Sequence, residues 1–148
     1  MLKGIDPLLG PELLAILRAM GHGDEIAIVD ANFPAASSAR RLVRMDGVGA
    51  SEVVTAVLSV LPLDTYVPNA AFRMEVVDKR DEVPDIAREF ERLLRTAGYR
   101  GAVAAIERFA FYDKARNAYA VVATGERRYW GNLILKKGTV PADDRHAS

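Results

Sequence analysis

Short apolar runs alternate with segments of helical periodicity along most of this 148-residue chain. The clearest helical segment follows Pro84, where apolar residues recur every three or four positions up to Gly98. The clearest strand signal is the β-branched stretch at residues 26–29, which lies between two acidic residues. Strands that alternate with helices favour a layered α/β domain, so we predict a single domain over residues 1–141 with a mixed β-sheet flanked by helices.

The other elements are predicted from the same patterns. Helices are expected at 11–20 and 53–61, a short helix or turn at 109–115, and strands at 41–45, 72–77, 102–106, 119–124 and 130–135. Gly21 is expected to close the first helix in a left-handed conformation, and Pro84 to be the first residue of its helix. Residues 35–39 are predicted to form a loop, and residues 142–148 a loose polar tail.

Composition excludes several classes of function. The 20 basic and 20 acidic residues are interspersed, so the chain lacks the basic face that nucleic-acid binding requires. The absence of cysteine excludes disulfides, thiolate metal sites and a cysteine nucleophile. No apolar run approaches the roughly 18 residues of a membrane span, and the N-terminus lacks a signal-peptide pattern. We therefore expect a cytoplasmic protein that neither binds nucleic acid nor enters a membrane.

Two titratable residues flank the predicted strand at 26–29. His22 lies between two glycines, where an imidazole is free of bulky neighbours and can exchange protons with a ligand. Asp30 follows the strand directly. A structural explanation is also open for each residue, since His22 can complement the carbonyl end of the preceding helix and Asp30 can close an Asx turn.

Two aromatic segments carry polar groups. Residues 108–112 place Arg108 beside three aromatic residues, a pattern that fits a ligand site and the edge of a core equally well. Trp130, Gly131 and Asn132 combine an aromatic face with an amide. Such groups suit a sugar, which offers apolar C–H faces for stacking and hydroxyls for hydrogen bonds, although a lone Trp also suits a core.

Three other kinds of site are poorly supported. The turn at 47–49 has the first two glycines of a dinucleotide fingerprint, but Glu52 stands where the third would be and would repel a phosphate. No metal site is predicted, because the chain has two histidines and His146 lies in the polar tail. Ser37 and Ser38 lack the glycine-flanked elbow of a serine hydrolase.

Five segments taken together resemble the ribose pyranase/L-fucose mutarotase family. They are Gly-His-Gly-Asp at 21–24, Asp-Ala-Asn-Phe-Pro at 30–34, Arg-Phe-Ala-Phe-Tyr at 108–112, Thr-Gly-Glu-Arg at 124–127 and Gly-Asn-Leu-Ile-Leu-Lys-Lys-Gly at 131–138. Their order and spacing match from residue 1 to about residue 141. The first and third segments resemble the fucose branch rather than the ribose branch.

The resemblance implies a monosaccharide mutarotase that acts without a cofactor and assembles into a decameric ring, with sugar sites near subunit contacts. The position of the family's proton donor corresponds to His22. The sugar-binding positions correspond to Asp30, Arg108, Trp130, Gly131 and Asn132. Two departures bear on the preferred sugar: the family's usual Tyr stands one place early, at Tyr129, leaving Trp130 in register, and Asn32 stands where the fucose branch has a His.

Mutarotation breaks the bond between the anomeric carbon and the ring oxygen and closes the ring on the other face. It needs an acid at the ring oxygen and a base at the anomeric hydroxyl. His22 is the candidate acid, Asp30 holds sugar hydroxyls or shares the base role, and Arg108 fixes orientation. Two other classes stay open, namely a sugar-binding module without turnover, which Asn32 and Trp130 would favour, and a nucleotide-binding protein that uses the 47–49 turn.

Overall fold

The computed structural model describes residues 1–144, which form an α/β domain around a six-stranded sheet. The elements in chain order are α1 Pro11–Ala19, β1 Glu25–Val29, α2 Ala35–Ser38, β2 Leu42–Met45, α3 Ala50–Leu58, β3 Ala71–Met74, α4 Asp85–Thr96, β4 Val103–Ile106, α5 Arg108–Asn117, β5 Ala120–Thr124, β6 Leu133–Lys136 and a 3₁₀ turn at Ala142–Asp144. The predicted mixed sheet flanked by helices is confirmed. Within residues 1–144, no helix is long and apolar enough to cross a membrane.

The directions of the strands distinguish two edges of the sheet, each formed by strand ends. The order is β2-β5-β1-β6-β3-β4, in which β6 runs antiparallel to both of its neighbours and the other pairs are parallel. All five strands other than β6 therefore end at one edge, where β6 begins, and we call this the carboxyl edge. The opposite edge, where β1 begins and β6 ends, is the amino edge.

The central strand β1 is buried on both faces of the sheet. Ile26 and Ile28 point into a core that includes residues of α1, α3 and α4. Ala27 and Val29 point the other way, into a smaller core that includes residues of α2 and α5. Because successive side chains of a strand alternate between faces, a continuous apolar run is what a strand covered on both sides requires.

Several predicted boundaries are wrong for local reasons. Residues 35–38 form a short helix rather than a loop, because Ala35 is buried in the smaller core and anchors it. The predicted strand at 130–135 begins only at Leu133, since Trp130 adopts a left-handed conformation with a φ of 68°. The strand expected at 72–77 ends at Met74. The helix expected at 53–61 starts at Ala50 and ends at Leu58.

Helix ends also differ from the predictions. Pro84 precedes α4 as its cap and is not its first residue, whereas Gly98 does take the left-handed conformation that ends this helix. The segment at 109–115, predicted as a short helix or turn, belongs to the ten-residue helix α5. The carboxylate of Glu107 caps α5 by accepting hydrogen bonds from the backbone N–H groups of Phe109 and Ala110.

The end of α1 is closed by a lysine rather than by Gly21. Gly23, not Gly21, has the positive φ, and the Gly21 N–H donates to the carboxylate of Asp24. The Lys137 ammonium donates to two carbonyls of the last turn of α1, which lack partners within the helix. The Lys137 carbonyl accepts from Gly23 N–H at 2.8 Å. The loop that carries His22 is thus fixed to the end of β6.

Candidate functional site

A cavity of about 140 Å³ opens at the carboxyl edge of the sheet. It brings together four residues that the sequence assigned to sugar binding: Asp30, Arg108, Trp130 and Asn132. Its other lining residues are Asn32, Phe33, Met74, Tyr112 and Tyr129. They meet because β1, β3 and β4 end here, and because β6 starts here.

Asp30 and Asn132 form a reciprocal buried pair. The Asp30 N–H donates to Asn132 Oδ1 at 2.8 Å, and Asn132 Nδ2 donates to Asp30 Oδ2 at 3.0 Å. Asp30 Oδ1 accepts from Asn32 N–H, so the Asx turn considered from the sequence is present as well. Burial raises the pKa of Asp30, and these hydrogen bonds offset the rise only in part. The carboxylate is therefore held in one orientation and shielded from water, which makes it a strong acceptor for a hydroxyl.

Trp130 and Gly131 occupy a crowded turn behind this pair. The left-handed φ of Trp130 costs about 1–2 kcal/mol in a residue with a side chain. A Cβ on Gly131 would lie 2.8 Å from Cγ of Glu126 and 3.6 Å from Cβ of Asp30. Gly131 is buried, and it is absent from the residues that line the cavity. Because Gly131 has no side chain, the backbone between Trp130 and Asn132 can pass beside Asp30.

Arg108 is the first residue of α5 and half-buried against the cavity. Its guanidinium carbon lies 4.5 Å from the centre of the Phe109 ring. Among residues 1–144 its buried Nε has no hydrogen-bond partner, and no carboxylate lies within ion-pair distance of it. The guanidinium is therefore available to donate to ligand oxygens.

His22 lies at the amino edge, apart from the cavity. The five residues of β1 separate it from Asp30, and a strand of that length spans about 17 Å. The imidazole is 45% exposed, with Nε2 3.1 Å from Oδ1 of Asp64 and its ring centre 5.6 Å from that of Tyr66. Lys137 fills the role at the end of α1 that was the structural alternative for His22. Within one chain, the His22–Asp64 pair and the cavity are thus two separate groups of residues.

Asp64 contacts His22 and was not singled out from the sequence. It is 4% exposed, and its Oδ1 accepts from Tyr66 N–H at 3.0 Å besides facing His22. The Tyr66 hydrogen bond and then the His22 contact lower the pKa of Asp64. An ionised carboxylate can only accept, so His22 Nε2 is the donor in this contact. Asp64 lies 42 residues from His22, and no spacing rule would have paired them.

Asp64 lies in the segment that follows α3, and the end of β6 holds this segment in place. Its N–H donates to the carbonyl of Lys136 at 3.1 Å, and the Gly138 N–H donates to the carbonyl of Pro62 at 2.8 Å. A Cβ at Gly138 would lie 2.5 Å from the carbonyl oxygen of Leu63, so only glycine allows this approach. The end of β6 therefore fixes both the His22 loop and Asp64.

Asp64→Asn is expected to lower the melting temperature near neutral pH. A carboxyl whose pKa is lowered by folding stabilises the protein above its unfolded value of 3.8, and this contribution is lost as the pH falls through the folded value. The difference between wild type and variant should therefore close in acid. Thermal unfolding from pH 7 down to pH 2 measures it, with the exposed Asp81→Asn as the control for the loss of one surface carboxylate. A gap that widens in acid would contradict an ionised Asp64.

The 47–49 turn does not offer a phosphate site. Gly49 precedes α3, and Glu126 Oε2 accepts from Ala50 N–H at 3.3 Å. A carboxylate therefore occupies the helix N-terminus that a phosphate would need. Residues 1–144 contain no group of three or more possible metal ligands, and His146 lies outside the described residues.

Five further cavity residues were not assigned a role from the sequence, although Asn32 was noted there as a departure from the family pattern. Tyr112 belongs to the aromatic segment singled out there, and Phe33 packs edge-on against its ring at 5.2 Å between centres. Met74 and Tyr129 complete the lining. An apolar residue at a strand end, such as Met74, carries no sequence signal that distinguishes it from the core, so only the fold reveals its place at the cavity.

Known proteins share this sequence and this fold. The chain is 50% identical to fucose mutarotase of Homo sapiens over 145 residues, which cover 94% of each protein. It is 40% identical to the fucose mutarotase of Streptococcus pneumoniae solved in complex with L-fucose, with a TM-score of 0.88 over 95% of this chain and 100% of that one. RbsD of Bacillus subtilis, solved with D-ribose, shares the fold with a TM-score of 0.73 and 19% identity, over 95% of this chain and 100% of that one. Residues 3–140 match a family that spans nearly the whole described domain, and the chain belongs to it: the RbsD / FucU transport protein family.

Proposed function

We propose that this protein is a mutarotase that interconverts the α and β anomers of L-fucose. The observation that carries the proposal is the cavity at the carboxyl edge, which joins a desolvated carboxylate, an unpaired guanidinium and an aromatic face. These are the groups that a monosaccharide requires. Relatives that are 40% and 50% identical carry the name fucose mutarotase, whereas RbsD, solved with D-ribose, is 19% identical.

The cavity residues have separable roles. Trp130 stacks on the apolar C–H face of the sugar, and the small volume of the cavity suits one sugar ring rather than a longer chain. Asp30 accepts hydrogen bonds from sugar hydroxyls, and Arg108 donates to sugar oxygens through its planar fork. Asn132 holds Asp30 in the orientation this requires. Trp130 offers an indole N–H in place of the phenol of relatives with Tyr, and this difference bears on which sugar is preferred.

His22 supplies the proton, and it does so from a neighbouring subunit. Because His22 and Asp30 lie at opposite edges of the sheet, a complete site needs the His22–Asp64 pair of one copy against the cavity of another. Both groups of residues carry exposed rings suited to such a contact. Tyr66 lies beside His22, and Phe109 and Tyr129 lie beside the cavity. A decameric ring is the proposed assembly, and native mass spectrometry should give ten times the mass of one chain.

Ring opening then proceeds by two proton transfers. His22 donates a proton to the ring oxygen as its bond to the anomeric carbon breaks, and Asp30 accepts the proton of the anomeric hydroxyl, which becomes the aldehyde oxygen. Rotation about the bond to the aldehyde carbon exposes its other face. As the ring closes on that face, Asp30 gives its proton to the aldehyde oxygen and His22 takes its proton back from the attacking ring hydroxyl. The raised pKa of Asp30 makes it a stronger base than an ordinary aspartate.

Saturation-transfer NMR between anomer resonances tests this function directly. The anomers of L-fucose should exchange faster with the protein present than in buffer alone. The protein should accelerate this exchange more for L-fucose than for D-ribose or D-galactose. Sugar resonances that shift without faster exchange would indicate a binding module instead. A rise in melting temperature with NAD or ATP, which we do not expect, would favour the nucleotide-binding alternative.

A further inference from the structure

One buried carboxylate shapes the turn at 125–132, which carries Trp130 and Asn132 to the cavity. Glu126 is 7% exposed and does not line the cavity itself. Its Oε1 accepts from Arg128 N–H at 3.0 Å and from Arg128 Nε at 2.9 Å, and its Oε2 accepts from Arg128 Nη2 at 3.1 Å. This forked pairing of carboxylate and guanidinium closes the turn on itself with defined geometry.

Glu126 also ties the turn to three neighbouring segments. Its Oε2 accepts from the N–H of Ala50 at the start of α3, and its own N–H donates to Oγ1 of Thr124 at the end of β5. Its carbonyl accepts from Ala31 N–H at 2.8 Å. Ala31 directly follows Asp30, so a single residue links the segment that carries Asp30 to the turn that carries Trp130.

The turn leaves no room for a side chain at Gly131. The Cγ of Glu126 stands 2.8 Å from where a Cβ on Gly131 would lie, directly after the left-handed Trp130. A residue with a side chain keeps that conformation only where its surroundings leave no alternative. Arg128 has a second carboxylate partner, Glu89 of α4, whose Oε2 accepts from Nη1 at 2.6 Å. Glu89 has no hydrogen bond to the rest of the turn among the described residues.

We propose that Glu126 is a positioning residue for sugar binding, which keeps Trp130 and Asp30 facing one cavity without touching the sugar. The inference rests on the proposed function and adds a residue to it. Glu89 contacts the turn only through the Arg128 side chain among the described residues. Its loss should therefore weaken the fold and leave the cavity in shape.

The single Trp of the chain reports on this geometry, since its fluorescence comes from Trp130 alone. In full-length Glu126→Gln, the emission should shift to longer wavelength and acrylamide quenching should increase. KM for L-fucose should rise by about tenfold, with a smaller change in kcat, because a substrate-orienting contact is weakened. Glu89→Gln is the matched control, in which the melting temperature falls while emission and KM stay at wild-type values.

Unchanged emission and KM in a folded Glu126→Gln protein would overturn the proposal. So would equal changes in Glu89→Gln, because they would mean that Glu126 acts only on stability. If Glu126→Gln does not fold, Arg128→Lys keeps the charge and removes the fork, and unchanged emission and KM there would also overturn the proposal. A wild-type protein that fails to speed anomer exchange refutes the proposed function. The emission of Trp130 needs no catalysis, so it tests the role of Glu126 separately.

Discussion

His22→Ala is expected to abolish the accelerated exchange between the anomers of L-fucose while the chain stays folded. General acid-base catalysis by one positioned group is worth about a hundredfold to ten-thousandfold, so the variant should approach the rate in buffer. The fold should survive because the imidazole is 45% exposed, hydrogen-bonded to Asp64 and packed against the ring of Tyr66. Saturation-transfer NMR gives the exchange rate, and circular dichroism with thermal unfolding checks the fold.

His22→Gln separates proton transfer from hydrogen bonding. A glutamine amide can still donate to Asp64, but it cannot exchange a proton at neutral pH. Both variants should therefore lose the acceleration. If His22→Gln keeps the wild-type rate, His22 serves only to hold the loop or the sugar, and the acid must be another group.

The architecture could be predicted from the sequence, because each element carries its own pattern. The apolar run of β1 and the helical period of α4 are local signals, and a layered α/β domain follows from the alternation of strands and helices. The left-handed Trp130 has no such signal. The turn that contains it is held by hydrogen bonds between Glu126 and the N–H groups of Ala31 and Ala50, which are distant in the sequence.

The arrangement of the site could be predicted only in part. His22 and Asp30 stand close in the sequence, but the strand between them extends by about 3.3 Å per residue and carries them to opposite edges of the sheet. Asp30, Arg108, Trp130 and Asn132 do converge, although they are dispersed along the chain. The topology of β6, which starts beside the end of β1, is what joins them.

Two inactive variants are expected to restore activity to each other when they share an oligomer. Arg108→Ala should be inactive because the sugar is no longer oriented, and His22→Ala because the acid is lost. If each site takes His22 from one subunit and Arg108 from the next, equal random mixing leaves about a quarter of the sites with both native residues. Unfolding the two variants in urea and refolding them together allows this exchange, and NMR of L-fucose exchange measures the recovery.

The double variant sharpens this test. Refolding His22→Ala together with a chain that carries both substitutions should restore nothing, since no native His22 remains in the mixture. If Arg108→Ala and His22→Ala also fail to complement each other, although native mass spectrometry shows mixed oligomers, both residues must act from one chain. The separation of His22 from Arg108 by the whole length of β1 argues against that result, because the sheet would have to be broken to bring them together.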